Sequence, residues 1–400
     1  MKYLSNVRGY LSVLLLFLVV APVVAARAEV VEISATFRSE NLSSRNNFLD
    51  TTRSSGCPWG ISMCSTAAVP RIAIPGIRYA SSGGVPIDSE VGLRLPSANR
   101  SVSLVHEDGV STSEMLFKVD GVGGTLPTPE MGLPSYWIGG GTFSAGITSC
   151  VGHSGGNSSK YMFFWGINAS DTCTRRNARP METVVMDDLF LRYKITPPNP
   201  ANMKPGVYRG SVRYSVGSAR EDIAFLPLGG RVTDNVLVIN FTVTVPLMFR
   251  VDVPAGGQRV ELTPQEGWAN WLLRGRKLSR LVKHQTFNLW SNAPLTMRLE
   301  CTSQIGDSCA LQEKGGALAV PVNVSVSLPG NFTDSSNARV NNKVLSVSGM
   351  GADSFKPSGY IERQPGNLQF EVSEESVAEM LKRPGSNYSG TVTVVWESTI

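Results

Sequence analysis

Runs of alternating apolar and polar residues recur along almost the whole chain, and period-two patterning of this kind points to sheets. They are VVEISATF (30–37), SVSLV (101–105), EMLFKV (114–119), YMFFWGI (161–167), VYRGSVRYSV (207–216), VLVINFTVTV (236–245), LMFRVDV (247–253), ALAVPVNVSVSL (317–328), KVLSVS (343–348) and NLQFEV (367–372). Turn-forming residues separate them, since 39 Gly and 24 Pro are spread through 400 residues. The expected class is all-β, with sandwich architecture. Helix signals are scarce. SEESVAEMLKR (373–383) is a short candidate with Ser373 as N-cap, and WANWLLRGRKLSRLVK (268–283) reads equally as a helix or an extended basic loop. No repeat of solenoid period is present.

The last run, YSGTVTVVW (388–396), lies four residues from the end of the sequence. Tyr388, Gly390, Val392, Val394 and Trp396 share one face, and Ser389, Thr391, Thr393 and Val395 the other. This is the pattern of a half-buried antiparallel strand. Either it closes a sandwich internally, or it leaves an edge that a strand from another chain can fill.

At the other end, Lys2 and Arg8 precede the apolar stretch 11–25, and Ala26-Arg27-Ala28 fits a small-x-small cleavage rule. A secretory signal peptide over residues 1–28 is expected, with the mature chain starting at Glu29. Its three cations and no acids account for most of the formal charge of +5, leaving a nearly neutral mature chain with no global case for nucleic acid. The six cysteines, Cys57, Cys64, Cys150, Cys173, Cys301 and Cys309, all follow the cleavage site. An even count in an exported chain favours disulfides. Of the fifteen pairings that six cysteines allow, the sequential one, with three local loops, is preferred. Zinc is disfavoured, because no CxxC occurs and no His flanks a pair at ligand spacing.

About 370 mature residues suit two domains. VLVINFTVTV ends one strand run and LMFRVDV begins the next, and Pro246 between them cannot donate to a ladder. The expected units are 29–245, large enough to carry extra loops, and 246–400.

Catalytic frames are missing from the sequence. His106, His153 and His284 are scattered. VGHSGGNSS (151–159) lacks a GxSxG elbow and reads as a loop within the Cys150–Cys173 pair. GVGG (121–124) and IGGGT (138–142) lack the lysine and helix of a phosphate loop and read as turns. The acid pairs Glu107-Asp108, Asp187-Asp188 and Glu221-Asp222 suit glycoside chemistry in type, but adjacent acids on a strand point to opposite faces, so they read as solvated loop charge. No enzyme activity, cofactor or metal is expected, an exported carbohydrate-binding protein or hydrolase being the more distant alternative. Two basic groups remain. Arg175, Arg176 and Arg179 follow Cys173 and suit an acidic sugar or carboxylate, or are simply solvated. Arg274, Arg276, Lys277, Arg280, Lys283 and His284, interleaved with Trp268, Trp271, Leu272 and Leu273, suit a protein partner, a membrane surface or solvent.

Three stretches together carry a resemblance: SGCPWGISMC (55–64), FLRYKITPPNPANMKPGVYRGSVRYSVG (190–217) and NYSGTVTVVW (387–396). The chain resembles the CblD-like pilus biogenesis initiators, tip adhesins of the alternate chaperone–usher pathway found on cable pili and colonisation-factor fimbriae. The likeness covers nearly the whole mature chain in layout, and MKPGVYRGSV is its most specific part. It implies two immunoglobulin-like sandwiches in tandem, the C-terminal one lacking its last strand. A periplasmic chaperone would lend that strand, and at the outer-membrane usher the N-terminal extension of the major pilin subunit would replace it. Tyr388, Val392, Val394 and Trp396 would line the groove, and the carboxylate of Ile400 would meet the chaperone. The first domain would bind a host glycan or glycoprotein at the fimbrium tip. The basic hairpin of relatives corresponds here to SVGSAREDIAF (215–225), which keeps only Arg220 and adds Glu221 and Asp222. Arg220 and the Arg175/Arg176/Arg179 group are therefore the receptor candidates.

Overall fold

The computed structural model describes residues 28–38, 47–56, 70–87, 90–127, 150–157, 160–167, 172–178, 181–218, 220–274, 280–349 and 354–398. The expected signal segment, Cys57, Cys64, IGGGT, Arg179, Arg276, Lys277 and Ile400 lie outside these residues.

The first half is built from β1 (Ala28–Phe37), β2 (Phe48–Asp50), β3 (Arg71–Ala73), β4 (Tyr79–Ile87), β5 (Glu90–Arg94), β6 (Arg100–His106), β7 (Thr112–Leu126), β8 (Cys150–Asn157), β9 (Lys160–Ile167), β10 (Thr172–Arg176), β11 (Met181–Thr196), β12 (Gly206–Gly217), β13 (Ile223–Leu226), β14 (Arg231–Val232) and β15 (Val236–Val245). They form one fifteen-stranded sheet system, ordered β10-β5-β13-β12-β6-β7-β11-β4-β14 with β15 and β1 branching from β12. The alternation read in the sequence is what is buried. Leu237, Ile239, Phe241, Val243 and Val245 of β15 face a core shared with Val31, Ile33, Ala35 and Phe37 of β1. β1 runs parallel to β15, from Ala28↔Val236 to Thr36↔Thr244.

Four readings are corrected here. VGHSGGNSS is not a loop in its described part: residues 151–157 belong to β8, which pairs antiparallel with β9. GVGG is not a turn but lies inside β7, opposite both β9 and β11. The glycines there serve close packing rather than chain reversal. A Cβ on Gly123 would stand 2.0 Å from Cζ of Phe190 and 2.9 Å from the Phe163 carbonyl oxygen. Phe190 is itself stacked on Phe164 with centroids 5.6 Å apart, so it has little room to yield. Gly123→Ala is expected to destabilise the first half by about 2–3 kcal/mol through overpacking, read as a lower urea midpoint. The 215–225 segment is not an antiparallel hairpin, because β12 and β13 pair in parallel, Val216↔Ile223. Asp222 turns back to accept from the Ser215 amide at 2.9 Å and its hydroxyl at 3.1 Å, and also meets Arg100. Nor are Asp187 and Asp188 loop charge. They lie within β11, where Asp187 pairs with Arg78 at 3.2 Å and Asp188 accepts from the Thr125 hydroxyl at 3.1 Å.

The second half comprises β16 (Phe249–Asp252), β17 (Thr263–Pro264), α1 (Trp268–Arg274), β18 (Leu281–Ser291), β19 (Leu295–Cys301), β20 (Gln304–Ile305), β21 (Ser308–Glu313), β22 (Ala319–Ser327), β23 (Phe332–Thr333), β24 (Lys343–Leu345), β25 (Lys356–Pro357), β26 (Ile361–Val372), α2 (Glu374–Leu381), β27 (Tyr388–Ser389) and β28 (Val392–Ser398). The ambiguous 268–283 run is thus a short helix at its start and the beginning of a strand at its end. α2 starts where expected, with the Ser373 hydroxyl accepting from the Ser376 amide. One sheet runs β16-β18-β26-β22-β21-β20, while β19 and β28 form a separate two-stranded ladder. Leu295, Met297 and Leu299 of β19 share a core with Phe287 and Leu289 of β18 and Val322, Val324 and Val326 of β22, so the two layers pack face to face.

Disulfides tie layers in both halves. Cys150–Cys173 joins β8 to β10, and Cys301–Cys309 joins the end of β19 to β21.

Candidate functional site: an open strand edge

The terminal strand β28 pairs only with β19 among the described residues, in a ladder from Leu295↔Ser398 to Cys301↔Val392. The other side of β19 is occupied. The Leu295 amide donates to the Phe355 carbonyl at 3.0 Å, the Phe355 amide returns the bond at 2.8 Å, and the Leu299 amide donates to Ser346 at 2.9 Å. Backbone groups alternate sides along a strand. Leu295, Met297 and Leu299 therefore turn away from β28, and Thr296, Arg298 and Glu300 turn toward it. On β28, Thr393, Val395 and Glu397 answer them, and the N–H and C=O groups of Val392, Val394 and Trp396 face the open side.

A second open edge lies nearby. β16 pairs with β18 from Phe249↔Ser291 to Asp252↔Asn288. The Asn292 amide donates to the Met248 carbonyl at 3.2 Å, which sets Arg250 and Asp252 toward β18 and Phe249 and Val251 outward. The rings of Trp396 and Phe287 meet edge-on with centroids 4.9 Å apart, so β28 stands over β18, the strand with which β16 pairs.

Side chains on β28, on β16 and on the segment from β16 to α1 are incompletely covered. Val392, Val394, Trp396, Phe249, Val251, Val260, Leu262 and Trp271 all pack against the second core yet stay only partly buried, whereas Val322, Val324 and Val326 within the sheet are buried. Thr391, Thr393 and Glu397 are exposed, which confirms the face assignment on β28. Among the described residues, β28 and β16 thus each keep one side without a strand partner, beside a half-covered apolar line.

Tyr388 is not on that line. It lies in β27 and pairs with Glu313 of β21, in the other layer. The chain crosses between layers at Gly390, where a Cβ would come within 2.7 Å of the Ala310 carbonyl oxygen. The start of the terminal strand is anchored by Glu313, whose carboxylate accepts from the Ser386 hydroxyl at 2.5 Å and from Arg383 at 2.8 Å. The Ser386 hydrogen bond, with the nearby Arg383 charge, holds the Glu313 carboxyl below its ordinary pKa. A depressed carboxylate contributes stability that is present above its unfolded pKa and lost as pH falls through its folded one. Glu313→Gln is expected to flatten the acid limb of the second half's stability profile below about pH 4.5, measured by urea midpoints between pH 3 and 7.

The receptor candidates separate. Arg175 is 0% exposed, its guanidinium donating to the Tyr161 hydroxyl and lying 5.3 Å from that ring. It is a core residue of β10, held there by pairing with β5, and not part of an exposed tethered loop. Arg176 and Arg220 are exposed. Arg94 bonds the Glu221 carbonyl at 2.9 Å, which fixes the loop that presents Arg220.

His106 is fully engaged and offers no general base. Its Nδ1 accepts from the Asp108 amide at 3.1 Å, and its Nε2 lies 3.0 Å from the Pro205 carbonyl. Among the described residues there is no group of three or more His, Cys, Asp or Glu placed to hold a metal ion. No helix there is long and apolar enough to cross a membrane.

Sequence reasoning missed Phe287, Phe249 and Val251 as partners of the terminal strand, and Glu313 as its anchor. LMFRVDV carried a strand signal for β16, but Lys283, His284 and Gln285 masked that of β18.

No protein-family model matches the chain, and no curated protein matches it. Among solved structures it is similar to the CsuC–CsuE chaperone–tip adhesion subunit pre-assembly complex from archaic chaperone–usher Csu pili of Acinetobacter baumannii. The identity is 11% and the TM-score 0.28, over 93% of this chain and 99% of that one. A superposition this loose assigns no role, so function rests on the geometry of the second half.

Proposed function

We propose that the protein is the tip subunit of a chaperone–usher pilus, a non-enzymatic strand acceptor. The observation that carries this is the pair of unpaired edges, β28 and β16, flanking a half-covered apolar line. An extended segment from another chain would complete it through backbone hydrogen bonds and alternate side chains. The resemblance of 190–217 and 387–396 to CblD-like initiators supports the same reading. A periplasmic chaperone would supply the strand first. The usher would then exchange it for that of the major pilin, with the exported protein ending at the fimbrium tip. Residues 246–400 would be the accepting pilin domain and 29–245 the domain that meets a host glycan or glycoprotein. Arg176, Arg220 and Arg179 remain as receptor candidates.

β1 supports tip placement. The strand that follows the expected cleavage site is built into the first half's own sheet beside β15, so it is not held ready for donation. The second reading is an assembly initiator that primes the usher without binding a receptor. It draws on the burial of Arg175, which removes one of the three clustered arginines from the surface.

The test is periplasmic yield of residues 29–400 with and without a cognate pilus chaperone. Degradation alone and rescue with chaperone are expected. Equal, monomeric yield in both cases overturns the proposal. Binding of isolated 29–245 to host-cell glycans then separates adhesin from pure initiator.

A further inference from the structure

The open edge has an outward face as well as an inward one. We propose that this outward face selects a basic residue, opposite Glu397, in the donor segment of the adjoining fibre subunit. The inference rests on the strand-acceptor reading above and adds a specificity determinant to it.

Thr393, Val395 and Glu397 direct their backbone groups to β19, so on the open side they occupy non-hydrogen-bonded positions. In an antiparallel ladder, residues at such positions face their partners directly, with Cα atoms about 4.5 Å apart against about 5.5 Å at bonded positions. Their side chains therefore meet those of an incoming strand most closely.

The charges on this face are arranged unevenly. In the register Thr296↔Glu397, Arg298↔Val395 and Glu300↔Thr393, Arg298 is the one cation among these six. Its guanidinium is 2.6 Å from Glu300 but 3.6 Å from Glu397. Glu397 is 59% exposed and stands on the open side of the ladder, with acceptor capacity to spare. A Lys or Arg directly across from it would pair with it, and an acid there would be repelled. The next outward donor position faces the half-buried Val395 and suits a β-branched residue, and the one after faces Thr393. Direct opposition requires an antiparallel segment, because partners in a parallel ladder are staggered. The selection is thus of an antiparallel segment in one fixed register, which the strand-acceptor reading assigns to the neighbouring subunit.

The test appends a turn and a seven-residue strand to the full mature chain after Ile400, a geometry that makes the added strand antiparallel to β28. Its inward positions are apolar, and the outward position opposite Glu397 is Lys or Glu. Each version is made with native Glu397 and with Glu397→Lys. At low salt the Lys strand is expected to raise the folding equilibrium constant about two- to tenfold over the Glu strand in the native background. The order should reverse with Glu397→Lys, and both differences should shrink in 1 M salt. Equal stabilisation by both strands in both backgrounds overturns the inference and leaves the acceptor reading standing. No stabilisation by either strand means that the acceptor reading itself has failed.

Discussion

Val394→Asp and Trp396→Asp each remove the second core while leaving the first folded. Both side chains point inward from β28, Trp396 against the ring of Phe287. A carboxylate at either place faces the apolar side chains of the second core, and the apolar contact is lost with it. Burying an unpaired charge costs roughly 3 kcal/mol or more even after the surroundings relax, a large share of a domain's total stability. The buried members of the first core lie within residues 31–245, with Met248 and Tyr360 of the second half packed against it, and none of these lies on β28. The expected result is a protease-resistant fragment ending near residue 245 and no chaperone-dependent accumulation of the full chain. Normal secretion of both variants with an unchanged urea midpoint would refute the assignment of this face.

The complementary experiment adds what the sandwich lacks. A donor strand fused after Ile400, with apolar residues at alternate positions, would complete the burial of Val392, Val394, Trp396, Phe249 and Val251. Full burial of such a side chain is worth about 1.5–3 kcal/mol, and these five are already half covered, so about 1 kcal/mol remains for each. The donor's own apolar side chains and backbone hydrogen bonds add to this, and ordering its backbone, at about 1–2 kcal/mol per residue, opposes them. A net gain of about 3 kcal/mol is expected, a rise of ~10 °C in the midpoint of the second half. No change in midpoint would mean that the two edges are already satisfied.

The architecture was legible where one face of a strand is buried and the other wet. The runs at 30–37, 207–216 and 236–245 became β1, β12 and β15 because their alternation is the burial pattern itself. Legibility failed where another force decided. Gly121, Gly123 and Gly124 read as turn residues, but the strands on either side leave no space for side chains there. β8 is poor in apolar residues and is set by its pairing with β9, which no local pattern announces. Arg175 looked like surface charge because arginine usually is, and only Tyr161 across the core explains its burial. For the site, period two set Val392, Val394 and Trp396 on one face but also carried Tyr388 with them, which lies in the other layer. The partner edge, β16, and the ring beneath, Phe287, lie more than a hundred residues upstream, and only the fold brings them to β28.

The parallel pairing of β1 with β15 also sets a schedule. The Thr36 hydroxyl donates to the Thr244 carbonyl across 208 residues of chain, so β1 waits during synthesis for β15, the last described strand of its own sheet. Contacts this distant in sequence form slowly, and the unpaired strand is prone to aggregate meanwhile. By the time residue 245 is out, only the second half remains to be threaded. The first sheet can thus close before the edge at β28 exists, so the half-covered line of the second half is exposed only after the early strand has its partner.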